Sequence, residues 1–252
     1  MKRDIISVLL GLLAVASCPA QQTQDTKAAT DLIARMSVAY QDMRSSLMMR
    51  GELVRRKSPG ERVQETKRAY RLIQGDTGLR ADVCDNSRPG TCSTYILRGE
   101  EVLMYFSLSN EFTLLAKAEP GAAAIQAALG AIQIIFYSRF ADLAATNYAV
   151  TSVKEADLKI NGKTKTCYRI KLKPAEGESR RWSGELWIDR ESAFVWRAGL
   201  TKEDREAEFP LIEETVTWSE IARGKDVPID ELAWTTPAGA KRLTRIPSAL
   251  PQ

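Results

Sequence analysis

Histidine is absent from this 252-residue chain, so any chemistry must come from carboxylates, lysine, tyrosine or cysteine. That absence removes Ser-His-Asp and Cys-His nucleophile sites, His-ligated zinc or iron, and histidine pH switching. No glycine-rich run joins a strand to a helix, so the phosphate-loop and dinucleotide fingerprints are missing. No S-x-x-K sequence opens a convincing helix, which leaves a Ser-Lys amidase without its motif. A carboxylate dyad would be sought at Glu185 and Asp189. Positions i and i+4 of a strand share a face but stand about 13 Å apart. Glycosidase pairs need about 5 Å for retention and under about 10 Å for inversion, so this pair fails. The expectation is a protein that is not an enzyme, with no catalytic residue, cofactor or metal.

The cysteines are Cys18, Cys84, Cys92 and Cys167, and their spacing matches no zinc site. Cys84 and Cys92 flank a turn-rich stretch, Asp85 to Thr91, between two strand-like runs. A disulfide clamping that hairpin is the favoured pairing. Cys167 then stays single, with no activating base in view, and reads as a packing residue.

Lys2 and Arg3 precede an apolar run from Ile5 to Ala16, followed by small residues. This is the pattern of a secretory signal, and the run is short for a membrane span of about 20 residues. Val15-Ala16-Ser17-Cys18 resembles a lipobox, which would make Cys18 a lipidation site. Cys18-Pro19-Ala20 also serves as an ordinary cut before Gln21. Either reading places the domain in the periplasm, as a soluble protein or a membrane-anchored lipoprotein. The expected organisation is a signal peptide at 1–20, a polar segment at 21–27, one domain at 28–245 and a tail at 246–252. With 36 Lys and Arg against 32 Asp and Glu interspersed along the chain, no nucleic-acid surface is expected.

The elements that would position any site follow from periodicity. Ala29, Leu32, Ile33, Met36, Ala39, Tyr40 and Met43 recur at three and four, which predicts a packing helix. Strand patterns run from Leu47 to Arg56, Arg62 to Gln74, Leu79 to Cys84, Ser93 to Arg98, Glu101 to Phe106 and Glu111 to Ala116. A stretch without charge, Pro120 to Ser138, predicts a second helix, apolar nearly all round and therefore buried. Strands resume from Ala149 to Ala156, Lys163 to Lys173, Arg180 to Asp189, Phe194 to Lys202 and Ile212 to Ala222. Gly99-Glu100, Ser109-Asn110 and Asn161-Gly162 are hairpin links. The fold class is α+β: one strongly curved antiparallel sheet of about ten or eleven strands, an incomplete β-barrel wrapped around helices.

Three stretches carry a resemblance. They are Leu97 to Phe106 continued by Asn110-Glu111-Phe112-Thr113, Gly184 to Ser192, and Pro228-Ile229 with Trp234 to Lys241. In that order the chain resembles the LolA-like family of outer-membrane lipoprotein carriers, as a distant periplasmic relative. The resemblance implies an incomplete β-barrel with helices as a lid, holding lipid or lipoprotein acyl chains during outer-membrane lipoprotein sorting. It implies no catalytic residue and no cofactor. An envelope-stress sensor that restrains an anti-sigma factor shares the fold and is the alternative, with an envelope protein as partner. Where the carriers have a lid-locking arginine after the second strand, this chain reads Leu72-Ile73-Gln74-Gly75. A monomer is expected. The candidate cavity-lining residues are Met104, Phe106, Ile132, Phe136, Trp187 and Trp196.

Overall fold

The computed structural model describes residues 27–28, 31–36, 38, 46–58, 63–133, 148–174, 182–203 and 211–244. The predicted signal segment, Cys18 and Phe136 lie outside them. Two antiparallel meanders make up the sheet. The first comprises β1 (Ser46–Ser58), β2 (Gln64–Gly75), β3 (Gly78–Asp85), β4 (Cys92–Arg98), β5 (Glu101–Phe106) and β6 (Glu111–Ala116). Helix α1 (Ala122–Gln133) follows. The second meander comprises β7 (Tyr148–Ile160), β8 (Lys163–Pro174), β9 (Trp182–Asp189), β10 (Val195–Glu203) and β11 (Leu211–Arg223). A last strand, β12 (Lys241–Arg242), pairs parallel to β6.

Pairing of β1 with β11 joins the meanders into one 12-stranded sheet, in the order β12-β6-β5-β4-β3-β2-β1-β11-β10-β9-β8-β7. The outermost strands do not pair with each other, so the sheet is unclosed. It is nevertheless strongly curved. The β7–β8 turn residue Asn161 donates from Nδ2 to the Ser219 carbonyl on β11 at 3.0 Å. In a flat sheet β8 and β11, separated by β9 and β10, would stand about 14 Å apart. Asn161 and Gly162 hold φ of 49° and 76°, the left-handed pair of a type I′ turn, which asparagine and glycine adopt at least cost.

The register sorts side chains into two faces. On one face Met49, Leu72, Ala81, Tyr95, Met104 and Thr113 stand side by side from β1 to β6. Beside them run Trp218, Gly51, Tyr70, Val83, Ser93 and Phe106. Through Leu53 opposite Val216 the same face continues into Ala198, Leu186, Ile170 and Val153. All of these but Gly51, Ser93 and Thr113 belong to, or pack against, the main core cluster, and this is the inner face. Leu32, Ile33 and Met36 of the helical stretch 31–36, with Ala122, Ile125 and Leu129 of α1, complete that core. The helices described are thus few, and the sheet carries most of the fold. The remainder of the expected charge-free helix falls outside the described residues.

The outer face of the first meander is covered by the C-terminal segment. Met48 and Ile73 pack with Val227 and Leu232 in a small second core. Arg71 pairs through both terminal nitrogens with the Glu231 carboxylate, and Arg80 donates to the Glu231 carbonyl at 2.9 Å. Trp234 tilts against Tyr105 with ring centroids 5.1 Å apart. Asn110 donates to the Ala238 carbonyl at 3.2 Å, and β12 then covers the β6 edge. An edge so covered offers less template for pairing with another chain.

Cys84 and Cys92 face each other across β3 and β4 and form the expected disulfide, with eight residues of sequence separation. By chain-entropy arithmetic a loop that short is worth about 2.5 kcal/mol. Reduction, or the double substitution Cys84→Ser with Cys92→Ser, is therefore expected to lower Tm by about 5–10 °C. Calorimetry with and without reductant checks it; an unchanged Tm would show that the hairpin holds without its bridge.

Candidate functional site

Met104 is fully buried in the inner-face row between Tyr95 and Thr113. Phe106 lies two residues along on the same face, half-buried and packed against the core. These two candidates stand together. Trp196 sits elsewhere, at the irregularity of β10 between Val195 and Arg197. Its indole N–H donates to Asp189 at 3.1 Å, and Lys165 lies over its ring at 5.0 Å. Trp187 faces the other way. Leu186 and Ile188 point inward, so Trp187 stands on the outer face, opposite Arg169 and Arg197. Its indole N–H donates to Glu185 at 2.5 Å, and Arg169 lies 5.3 Å from its ring. By strand alternation Trp187 lies across the sheet from Met104, and it packs half-buried against the main core cluster. Ile132 falls within α1, but its side chain, like Phe136 as a whole, lies outside the described residues.

The residues that the sequence did not single out are Met49, Tyr70, Leu72, Tyr95 and Trp218. They share the inner face with Met104 and Phe106, and all five are buried. Each lies on an alternating strand, so alternation marks it as belonging to one face. Only cross-strand register shows that these faces coincide.

The inner face changes character along the strands. Toward one end Arg55 donates to the buried Glu214 at 2.7 Å, and Arg68 stands opposite Leu53. Burial pushes the Tyr70 and Tyr95 phenols up from their ordinary range. Thr113 is fully buried, and its hydroxyl has no hydrogen-bond partner. The face is therefore apolar over Met49, Leu72, Tyr95 and Met104, with a charged rim at Arg55, Arg68 and Glu214.

The half-buried acids are engaged in structural contacts. Glu185 loses hydration on burial, but hydrogen bonds from Arg169 and Trp187 outweigh this and hold its carboxyl below the usual range. Asp82 holds Arg80 and accepts from Thr94 at 2.7 Å. Among the described residues no group of three or more Cys, Asp or Glu is placed to hold a metal. Cys167 is free and buried. Burial first, and then the neighbouring Asp189 charge, push its thiol up to about 11. It is expected to resist iodoacetamide at pH 8 in the native protein and to react stoichiometrically once unfolded. Between about pH 9 and 11 the unfolded thiol ionises while the folded one stays protonated, so stability falls as pH rises there. Labelling of the native thiol within minutes would contradict this.

Together, fold and face define a class: a curved, unclosed antiparallel sheet carrying an apolar inner surface with a charged rim. No protein-family model matches the sequence, and no curated protein matches it. Among solved structures the chain is similar to MucB, with 14% identity and a TM-score of 0.46, covering 83% of this chain and 63% of that one. The chain thus spans less than two thirds of MucB's length. It is similar to the Mycobacterium tuberculosis lipoprotein LppX, with 11% identity and a TM-score of 0.40, covering 80% of this chain and 98% of that one. It is also similar to a LolA superfamily protein from Nitrosomonas europaea, with 10% identity and a TM-score of 0.29, covering 82% of this chain and 97% of that one.

Proposed function

We propose that the protein is a non-enzymatic periplasmic carrier or binding protein for amphiphiles with acyl chains, a lipid or the lipidated end of a lipoprotein. The supporting observation is the graded inner face. An acyl chain would displace the helical residues Leu32, Ile33, Met36, Ile125 and Leu129 from the face of Met49, Leu72, Tyr95, Met104 and Phe106, and its head group would meet Arg55 and Arg68. Burial of each methylene there is worth about 0.8 kcal/mol, so a long chain binds without any directional contact. The Thr113 hydroxyl offers one donor to an ester or amide carbonyl. Nothing in this binding calls for a cofactor, and the signal-like N-terminus supports export.

Native mass spectrometry of the protein isolated from the cells that make it is the test. Lipid adducts, and saturable uptake of a fluorescent fatty acid by the delipidated protein, are expected. Neither adduct nor uptake would overturn the reading. A defined protein adduct without lipid would favour the envelope-stress sensor instead.

A further inference from the structure

The two halves of the outer face treat their cations differently. On the first meander Arg71 and Arg80 are neutralised by Glu231 and Asp82, and the C-terminal segment covers them. On the second meander the cations stand open. Lys154 on β7 faces Arg169 on β8, Arg169 faces Trp187 on β9, and Trp187 faces Arg197 on β10. That row spans about 14 Å at ordinary strand spacing. Lys171 and Lys173 follow on β8 on the same face. Lys154, Lys171, Lys173 and Arg197 are all exposed. None of the four has a salt-bridge partner among the described residues. The acid in their midst, Glu185, is held by Arg169 at 2.6 Å and by the Trp187 indole.

Like charges directly opposite on paired strands destabilise a sheet. Where Lys154 faces Arg169, the Glu185 carboxylate held by Arg169 already relieves that cost, so the unmet charge on this face is that of Lys154, Lys171, Lys173 and Arg197. We propose that this face is a docking surface for an anionic lipid bilayer. The patch is spread over four neighbouring strands of a sheet face, β7 to β10. An extended acidic peptide would add along the open edge of β7, the outermost strand, and would not reach Arg197 on β10, three strands away. A bilayer asks only for a broad cationic surface, which Lys154, Lys171, Lys173 and Arg197 supply. Docking here leaves the inner face free, so the proposal does not depend on what that face holds.

The experiment is co-sedimentation of the protein, as isolated from its cells, with vesicles of phosphatidylglycerol and phosphatidylethanolamine, against vesicles of phosphatidylcholine alone. The neutral vesicles report any contribution of the apolar N-terminus. Each cation near an anionic surface is worth roughly fivefold in partitioning. The triple variant Lys154→Glu, Lys171→Glu, Arg197→Glu removes three cations and adds three anions, so it is expected to lose at least about a hundredfold and fall to the neutral-vesicle level. Salt raised to about 0.5 M should do the same to the parent protein. The charge-conserving variant Lys154→Arg with Lys171→Arg should bind as the parent does, which separates charge from folding. Uptake of a fluorescent fatty acid, which reads the inner face, should be unchanged in the triple variant. Equal binding to both vesicle types, or anionic binding indifferent to the triple change, would overturn the proposal. So would binding to poly-glutamate by a protein that ignores anionic vesicles.

Discussion

Trp218→Ala is expected to lower the unfolding free energy by about 3–5 kcal/mol, a loss of roughly 10 °C in Tm. Trp218 is fully buried on β11, in the strand pair that joins the two meanders. Its partner in register is Gly51, and a Cβ on Gly51 would meet the Thr217 carbonyl oxygen at 2.6 Å and the Trp218 Cα at 3.2 Å. The glycine lets the two backbones approach, and the indole fills the space that β1 leaves over this point. The indole N–H reaches the Met49 sulfur at 3.3 Å, a weak acceptor, so the contribution is mainly packing. Trp218→Phe should therefore cost less, about half as much. Urea unfolding reads both values. A cost under about 1 kcal/mol for the alanine variant would mean that the seam is not part of the cooperative core.

The second large effect is expected at Asp189, which ties the β9–β10 turn to Trp196. One of its oxygens accepts from the Glu191 and Ser192 amides and the Ser192 hydroxyl, at 2.8 to 3.1 Å. The other accepts the Trp196 indole N–H. Asp189→Asn keeps the shape but sets an amide NH2 against that indole donor. A cost of about 2–3 kcal/mol is expected, because a buried donor is left unpaired. Adding Trp196→Phe removes the clash, so the double variant should lose less than the two single costs together. Burial opposes ionisation of Asp189, but the hydrogen bonds from Ser192, Trp196 and Glu191 prevail and hold its carboxyl below the usual range. Its stabilisation is thus complete above the unfolded value of about 3.9 and is lost as pH falls through the lower folded one. Denaturant titrations at falling pH should show that acid-dependent component in the parent and not in Asp189→Asn. Identical acid profiles would assign it to other carboxylates.

Much of the fold could be read from the chain, and the misses have physical causes. Strands β3 to β6 announced themselves through alternation between turn residues, and Asn161-Gly162 marked its hairpin because few residue pairs tolerate that turn. Strand β12 escaped because Lys241–Arg242 pairs with β6 across more than a hundred residues, and its two residues leave no periodic trace. The hold of Glu231 on Arg71 escaped for the same reason: a single distant ion pair has no sequence period. Site residues were harder. Alternation separated Trp187 from Leu186 and Ile188, yet alternation alone does not say which set points inward. That depends on a chain of pairings from Leu53 through Val216, Ala198 and Leu186. The irregularity between Val195 and Arg197 also breaks the count at Trp196. Single-strand reasoning could not carry the phase across such a bulge.

Whether the inner face is where the apolar ligand lies is tested most directly by photo-crosslinking with a long-chain fatty acid carrying a diazirine, followed by peptide mapping. Labels are expected on inner-face positions of β1 to β5, centred on Met49, Tyr95, Met104 and Phe106, and competed away by unlabelled fatty acid. Labels confined to the outer face, or spread without regard to strand alternation and insensitive to competitor, would contradict it.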